Sequence, residues 1–275
     1  MTAIDGGFGK GEGRGAAAAP LAGAVFLGAL ALLFGAATGI TIAQSDAMAA
    51  MGEVPMAGGW WMSGVWLPMC GQSWPDAAAS FLGMWLAMTI AMMLPALTPA
   101  LWRYRQAFAT AGCPYPDFLA AVMAAGYLAI WTGLGAILFV LGGALASAAI
   151  QAPALARSLP SGGGVALIAA GAFQLSLARQ RLLAACGKAP GKIGLPAGKA
   201  AVWAQGLRLG FRCCASCIAP MTALIVGGIM DLRLMALVTA AISAERLLPR
   251  SGPVGQAFGA GIIVVGALQL ACRLA

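Results

Sequence analysis

The feature that most constrains this chain is a series of apolar blocks, each about as long as a bilayer is thick. They run Leu21–Ala43, Ala77–Leu101, Phe118–Ser147, Gly163–Ala185, Arg212–Met230, Leu234–Leu248 and Val254–Cys272. A helix needs about 20 predominantly apolar residues, at 1.5 Å each, to cross the hydrocarbon core. Six blocks meet that length easily. The sixth in order is short, and Asp231 with Arg233 makes a tight turn before it. The expected fold is all-α, a polytopic transmembrane helix bundle of about seven helices, with six as the lower count. Composition agrees: 61% of residues are hydrophobic and 9% charged, which excludes an ordinary soluble domain.

Charge orients the bundle. The net charge is +8, and nothing resembles a nucleic-acid module. With the N-terminus inside, the inner segments hold Lys10, Arg14, Arg103, Arg105, Arg179, Arg181, Lys188, Lys192, Lys199, Arg208, Arg212, Arg246 and Arg250. Only Arg157, Arg233 and Arg273 fall outside. This is a positive-inside asymmetry, and the expected orientation has a cytoplasmic N-terminus. Leu21–Ala43 exceeds the ~7–15-residue apolar run of a signal peptide. It reads as a retained helix; cleavage near Ala43 is the alternative and leaves six spans.

Residues 1–20 are Gly- and Ala-rich and are expected to be disordered in the cytoplasm. Residues 21–275 then form a single transmembrane domain. An outer loop, 44–76, carries Met48, Met51, Met56, Met62 and Met69 with Trp60, Trp61, Trp66 and Trp74. It reads either as a metal-capturing segment or as an interfacial Trp belt. A basic inner loop spans 186–205. The sequence GAFQL at Gly171–Leu175 returns as GALQL at Gly266–Leu270. The fourth and seventh helices run in opposite directions, so a 3+3 inverted repeat is one reading and chance recurrence the other. Pro95 and Pro220 interrupt the second and fifth helices, and broken helices at matching positions point to a binding site in such folds.

Sulfur carries the chemistry. In GLRLGFRCCASCIAPM, Gly206–Met221, the residues Cys213, Cys217 and Met221 stand at i, i+4, i+8 and share one helix face. On the second helix Met84, Met88 and Met92 form another such stripe, with Met93 beside it. Met92 and Met93 precede Arg103, and Met221 follows Arg212, by similar distances along their helices. The two sulfur sets therefore lie at one depth. Thiolates and thioethers together suit Cu(I), and Arg208 and Arg212 favour the thiolate. The plainer reading is packing, since Met fills gaps and free Cys behaves as a small hydrophobe. Pro220 offers a third: a helix beginning near Ala219, with the thiols in a loop. Cys214 and Cys217 also read Cys-x-x-Cys, but no thioredoxin-like context accompanies them. Cys70 and Cys272 fall on the outer side and are best read as unrelated thiols, with a disulfide as the alternative. Glu245 is expected to pair with Arg246 or Arg250. The chain has no His, so imidazole acid–base chemistry is excluded, and no cofactor motif or nucleophile–base pair marks an enzyme.

Five stretches resemble a bacterial family of predicted metal-binding integral membrane proteins, a domain of unknown function. They are AMMLPALTP at Ala91–Pro99, GYLAIWTG at Gly126–Gly133, FQLSLARQRLLAACGKAP at Phe173–Pro190, GLRLGFRCCASCIAPM with GGIMDL behind it, and Glu245-Arg246. The resemblance covers Ala77 to the C-terminus. It implies metal ligands at Cys186, Cys213, Cys217 and Met221. It also implies a divergent member: Ala185 and Leu209 stand at the family's His positions, Leu182 and Ser216 at Cys positions, and Ile218 at a Trp position. The combined expectation is a Cu(I) site with Cys213 and Cys217 as primary ligands, completed by Met221, by Met92 or Met93, and by Cys186. The role is copper translocation or delivery to a copper enzyme, with the bilayer and that enzyme as partners. Two alternatives are a metal-free assembly subunit of a larger membrane complex, packed through small residues, and a small-solute transporter with a cavity lined by Gln174, Gln269 or Glu245.

Overall fold

The computed structural model describes residues 12–51, 53–57, 59–68, 71–187, 198–248 and 252–274. In order these form α1 (Glu12–Met51), the strands β1 (Glu53–Met56) and β2 (Trp60–Ser63), a 3-10 turn at Gly64–Trp66, then eight more helices. The helices are α2 (Trp74–Thr110), α3 (Pro116–Gln151), α4 (Pro153–Leu175), α5 (Leu177–Gly187), α6 (Lys199–Ser216), α7 (Ile218–Gly227), α8 (Leu232–Leu247) and α9 (Gly252–Leu274).

Among the described residues five helices are long and apolar enough to cross a membrane; α6 and α7, bent by 60° to one another, meet the same test only together, as a broken span or a re-entrant loop. The expected seventh does not qualify. α8 has 16 residues, about 24 Å at 1.5 Å each, against a hydrocarbon core of about 30 Å. The block expected at Gly163–Ala185 is also divided. Ser176 is extended, at φ −71° and ψ 150°, and its hydroxyl accepts from the Arg179 amide at 3.2 Å, capping α5 as Ser does at helix starts.

The expected disordered segment 1–20 is helical from Glu12 onward as the start of α1, and residues 1–11 lie outside the described residues. Part of the segment expected as an outer loop forms regular structure. β1 and β2 pair antiparallel, Met56 opposite Trp60, and the Trp60 indole donates to the Ala156 carbonyl at 2.9 Å. Met56 and Met62 are buried there against Ala146, Ala149 and Ala156, so these two thioethers pack a small second core. Met48 instead packs on the main core, and Met69 lies outside the described residues. The Ser73 hydroxyl and Asp76 carboxylate form a capping box that starts α2. Within the expected inner loop, α5 reaches Gly187 and α6 begins at Lys199.

Small residues set the helix spacing. On α6, Gly206 and Gly210 form a Gly-x-x-x-Gly face against α3, where a Cβ at Gly206 would lie 2.2 Å from the Met123 carbonyl oxygen. Helices in a membrane gain from such close backbone approach. Lys199 stacks on Phe118 at the start of this parallel pair. α4 and α9 pack antiparallel, with Gly164 on Gly266 and Gly171 on Gly259. The two echoed segments thus occupy one helix pair, in reversed order. Pro95 does not interrupt α2, which runs unbroken through Pro95 and Pro99. The main core lies between α2, α3, α6, α7 and α8 and contains Met84, Met88, Met92, Met93, Cys213, Cys217 and Met221.

Candidate metal centre

Pro220 shapes this centre. It lacks the N–H that would bond the carbonyl four residues back, which belongs to Ser216. That carbonyl instead accepts from Arg179 Nε at 3.2 Å. The helix breaks one residue later, at Cys217, with φ −101° and ψ 9°. The break falls earlier than the expected start near Ala219, and it leaves Cys213 inside α6. The Cys217 amide still donates to the Cys213 carbonyl, and the Met221 amide to the Cys217 carbonyl, each at 3.0 Å. The stripe Cys213–Cys217–Met221 therefore survives the bend.

The two thiols are removed from surface: Cys213 is 0% exposed and Cys217 1%. One guanidinium nitrogen, Arg246 Nη2, faces Cys213 Sγ at 3.2 Å, Cys217 Sγ at 3.5 Å and Ser216 Oγ at 2.9 Å. The Tyr127 hydroxyl meets Cys213 Sγ at 3.0 Å from α3. The Ser216 hydroxyl donates to the Cys213 carbonyl at 2.9 Å. Cys214 is half-buried, and both it and Cys113 carry free thiols.

Glu245 does not pair with Arg246, as the sequence had suggested. Its carboxylate is held by Arg179 through both oxygens and accepts from Gln174 Nε2 at 2.9 Å. Consecutive residues on a helix do not face each other, so Glu245 turns toward α5 while Arg246 turns toward the thiols. Arg250 lies outside the described residues. A Cβ at Gly255 would meet the Glu245 carboxylate at 2.5 Å, so α9 supplies the gap that the ion pair fills.

Of the expected ligands, Cys213 and Cys217 are neighbours. Met221, Met92 and Met93 are buried in the same core. Cys186 sits on α5, and its side chain lies outside the described residues. Among the described residues no three Cys, Asp or Glu side chains gather as a metal cluster. Cys272 is free and exposed, and Cys70 lies outside the described residues. Sequence reasoning missed Tyr127, Arg179 and Ser216. Each falls within a motif singled out above, but only Pro220 hinted at why, through the carbonyl it leaves open.

A cavity of about 490 Å³ is lined by Arg103, Tyr127, Gln174, Arg179, Glu245 and Arg246, among others; of these, Tyr127 and Arg246 also touch Cys213 Sγ. Gln269 is elsewhere, donating to the Pro160 carbonyl at 3.0 Å.

No curated protein and no solved structure matches the chain. The family described as PpoB2, copper chaperone, matches residues 82–269. That match runs from the first half of α2, through the thiol hinge, into α9, and the chain belongs to the PpoB2 copper chaperone family.

Proposed function

We propose that this chain is an integral membrane protein that holds one Cu(I) between Cys213 and Cys217 and hands it to a copper-requiring partner. Copper is the cargo, and the chain is a carrier rather than an enzyme. The observation that carries this reading is the single guanidinium nitrogen of Arg246 set against both buried sulfurs. Two thiolates and one Cu(I) leave a single negative charge, and Arg246 cancels it. That balance matters because an unpaired charge in a buried site is costly. The donor set fits the ion: thiols and thioethers select Cu(I), and the chain offers no imidazole. Met221, with Met92 or Met93, would supply a third sulfur, and Cys186 a ligand from α5. The family's description favours delivery over translocation.

The N-terminus is cytoplasmic on the positive-inside count, and the inner membrane of a bacterium is the site. The reversed Gly164–Gly266 and Gly171–Gly259 contacts support reading α4 and α9 as matching helices of an inverted repeat. Metal analysis of purified protein tests the site. Wild type is expected to retain stoichiometric copper after desalting, and the double variant Cys213→Ser, Cys217→Ser to lose it. Equal copper in both would reject the site.

A further inference from the structure

We propose that the chain carries a second soft-ion site, away from the thiols, where Met48, Met84 and the Gln44 side-chain carbonyl hold Cu(I). The identity of the ion rests on the copper reading of Cys213 and Cys217; the geometry does not. A cavity of about 240 Å³ lies between the last turns of α1, the 3-10 turn and the start of α2, lined by Gln44, Met48, Val65, Phe81 and Met84, among others. That volume falls below the ~300–1,000 Å³ of small-molecule clefts and is ample for an ion. Met84 stands 12 residues before Ala96, which lines the larger cavity with Tyr127 and Arg246. At 1.5 Å per residue the separation along α2 is about 18 Å, so the two cavities are distinct.

Three observations point to the occupant. Gln44 Oε1 is buried and has no hydrogen-bond partner, and a buried acceptor left open calls for a donor or a cation. Two thioethers border the same space. Met56 and Met62 close against alanines, whereas Met48 and Met84 face room that no side chain fills. Thioethers are weak hydrogen-bond acceptors but good ligands for Cu(I). Water would therefore satisfy only the amide oxygen, while a soft cation satisfies all three groups. The third observation is charge. Residues 44–76 include Asp46, Glu53 and Asp76 and no Lys or Arg. The α7–α8 turn, tied alongside by the Ser45 hydroxyl donating to the Met230 carbonyl at 2.9 Å, adds Asp231 and Arg233, one of each sign. The surrounding field favours a cation. Gln44 and Met48 precede the residues 82–269 that the family covers, so the family match does not assign this site.

Three neutral ligands leave the ion's charge uncancelled, so it is held more loosely than between two thiolates. One equivalent of copper fills the thiols first, and desalting empties the second site. A loose site suits a station where copper exchanges with the outer side. Met84 is also the first thioether of the stripe Met84–Met88–Met92, which shares a core with Cys213 and Cys217.

Silver(I), a closed-shell soft ion that undergoes no redox change here, is the probe. The full chain, labelled with ¹³C at its methionine methyls, is titrated in chloride-free detergent solution and followed by NMR. The Met48 and Met84 methyls are expected to shift together and to saturate, in wild type and equally in Cys213→Ser, Cys217→Ser. Met84→Leu, a volume-conserving change, should weaken the silver dependence of the Met48 signal about tenfold or more. Gln44→Glu should tighten it about tenfold or more, because it sets a negative charge against the ion. Unmoved Met48 and Met84 signals in wild type, or a Met48 response that neither substitution alters, overturns this proposal and leaves the thiol site standing. If the Met48 and Met84 signals respond while those of Met221, Met92 and Met93 stay fixed in wild type, this site stands and the reading of the thiol centre falls.

Discussion

Arg246 and Glu245 are sequence neighbours with opposite assignments. Arg246 faces two sulfurs, and Glu245 closes a buried ion pair with Arg179. The first assignment concerns copper. A hydrogen bond to a charged group contributes about 1.5–3 kcal/mol, so Arg246→Ala is expected to weaken Cu(I) about 10- to 100-fold in competition against a chromophoric chelator. Arg246→Lys should recover part of that loss, because the charge remains while the fork geometry is lost. The second assignment concerns stability. Removing one partner of a buried pair leaves the other uncompensated, at about 3–5 kcal/mol. Glu245→Gln should therefore lower the thermal midpoint in detergent well below wild type. Adding Arg179→Met removes the uncompensated charge and should recover part of it, the gain being limited by the Ser216 carbonyl that Arg179 no longer satisfies. No recovery in the double variant would mean that the pair does more than balance charge.

At the scale of elements, the hinge and the glycine faces hold the site in place. Pro220→Ala restores an N–H able to reach the Ser216 carbonyl, in competition with Arg179. The 60° bend should relax, seen as a longer distance between spin labels on the first turn of α6 and the last turn of α7. Gly206→Ala pushes a methyl against the Met123 carbonyl. Overpacking of this kind costs about 1–3 kcal/mol and should lower the melting temperature. Gly133→Ala, on the open face of α3, should instead be neutral or gain about 0.5–1 kcal/mol, as Gly-to-Ala changes do within helices. Most elements were legible as apolar blocks, because a long uninterrupted apolar run reads as one helix, and five such helices are long enough to cross a membrane. The break at Ser176 was not, since it depends on a hydroxyl capping the next helix. The opposite fates of Pro95 and Pro220 were equally hidden. Both prolines remove a donor, but of the two helices only the one beside Cys217 breaks, where Arg179 takes up the freed carbonyl.

Across the whole molecule, sulfur spacing pointed to residues that the fold buries in one core. Cys213 and Cys217 are fully buried and adjacent, and Met84, Met88, Met92 and Met93 share their core. What spacing could not convey was the counter-charge. Tyr127, Arg179 and Arg246 come from three helices far apart in the chain, and no local pattern links them. The outer methionines show the reverse: Met56 and Met62 looked like ligands by composition, yet the hairpin folds them into a packed patch with Ala146 and Ala156. The central claim is that copper sits between these two thiols in an all-sulfur site. X-ray absorption on the Cu(I)-loaded chain measures that directly. The account predicts a first shell of sulfur alone, with fewer sulfurs per copper in Cys217→Ser; a shell of nitrogen or oxygen, or one that the substitution leaves unchanged, would contradict it.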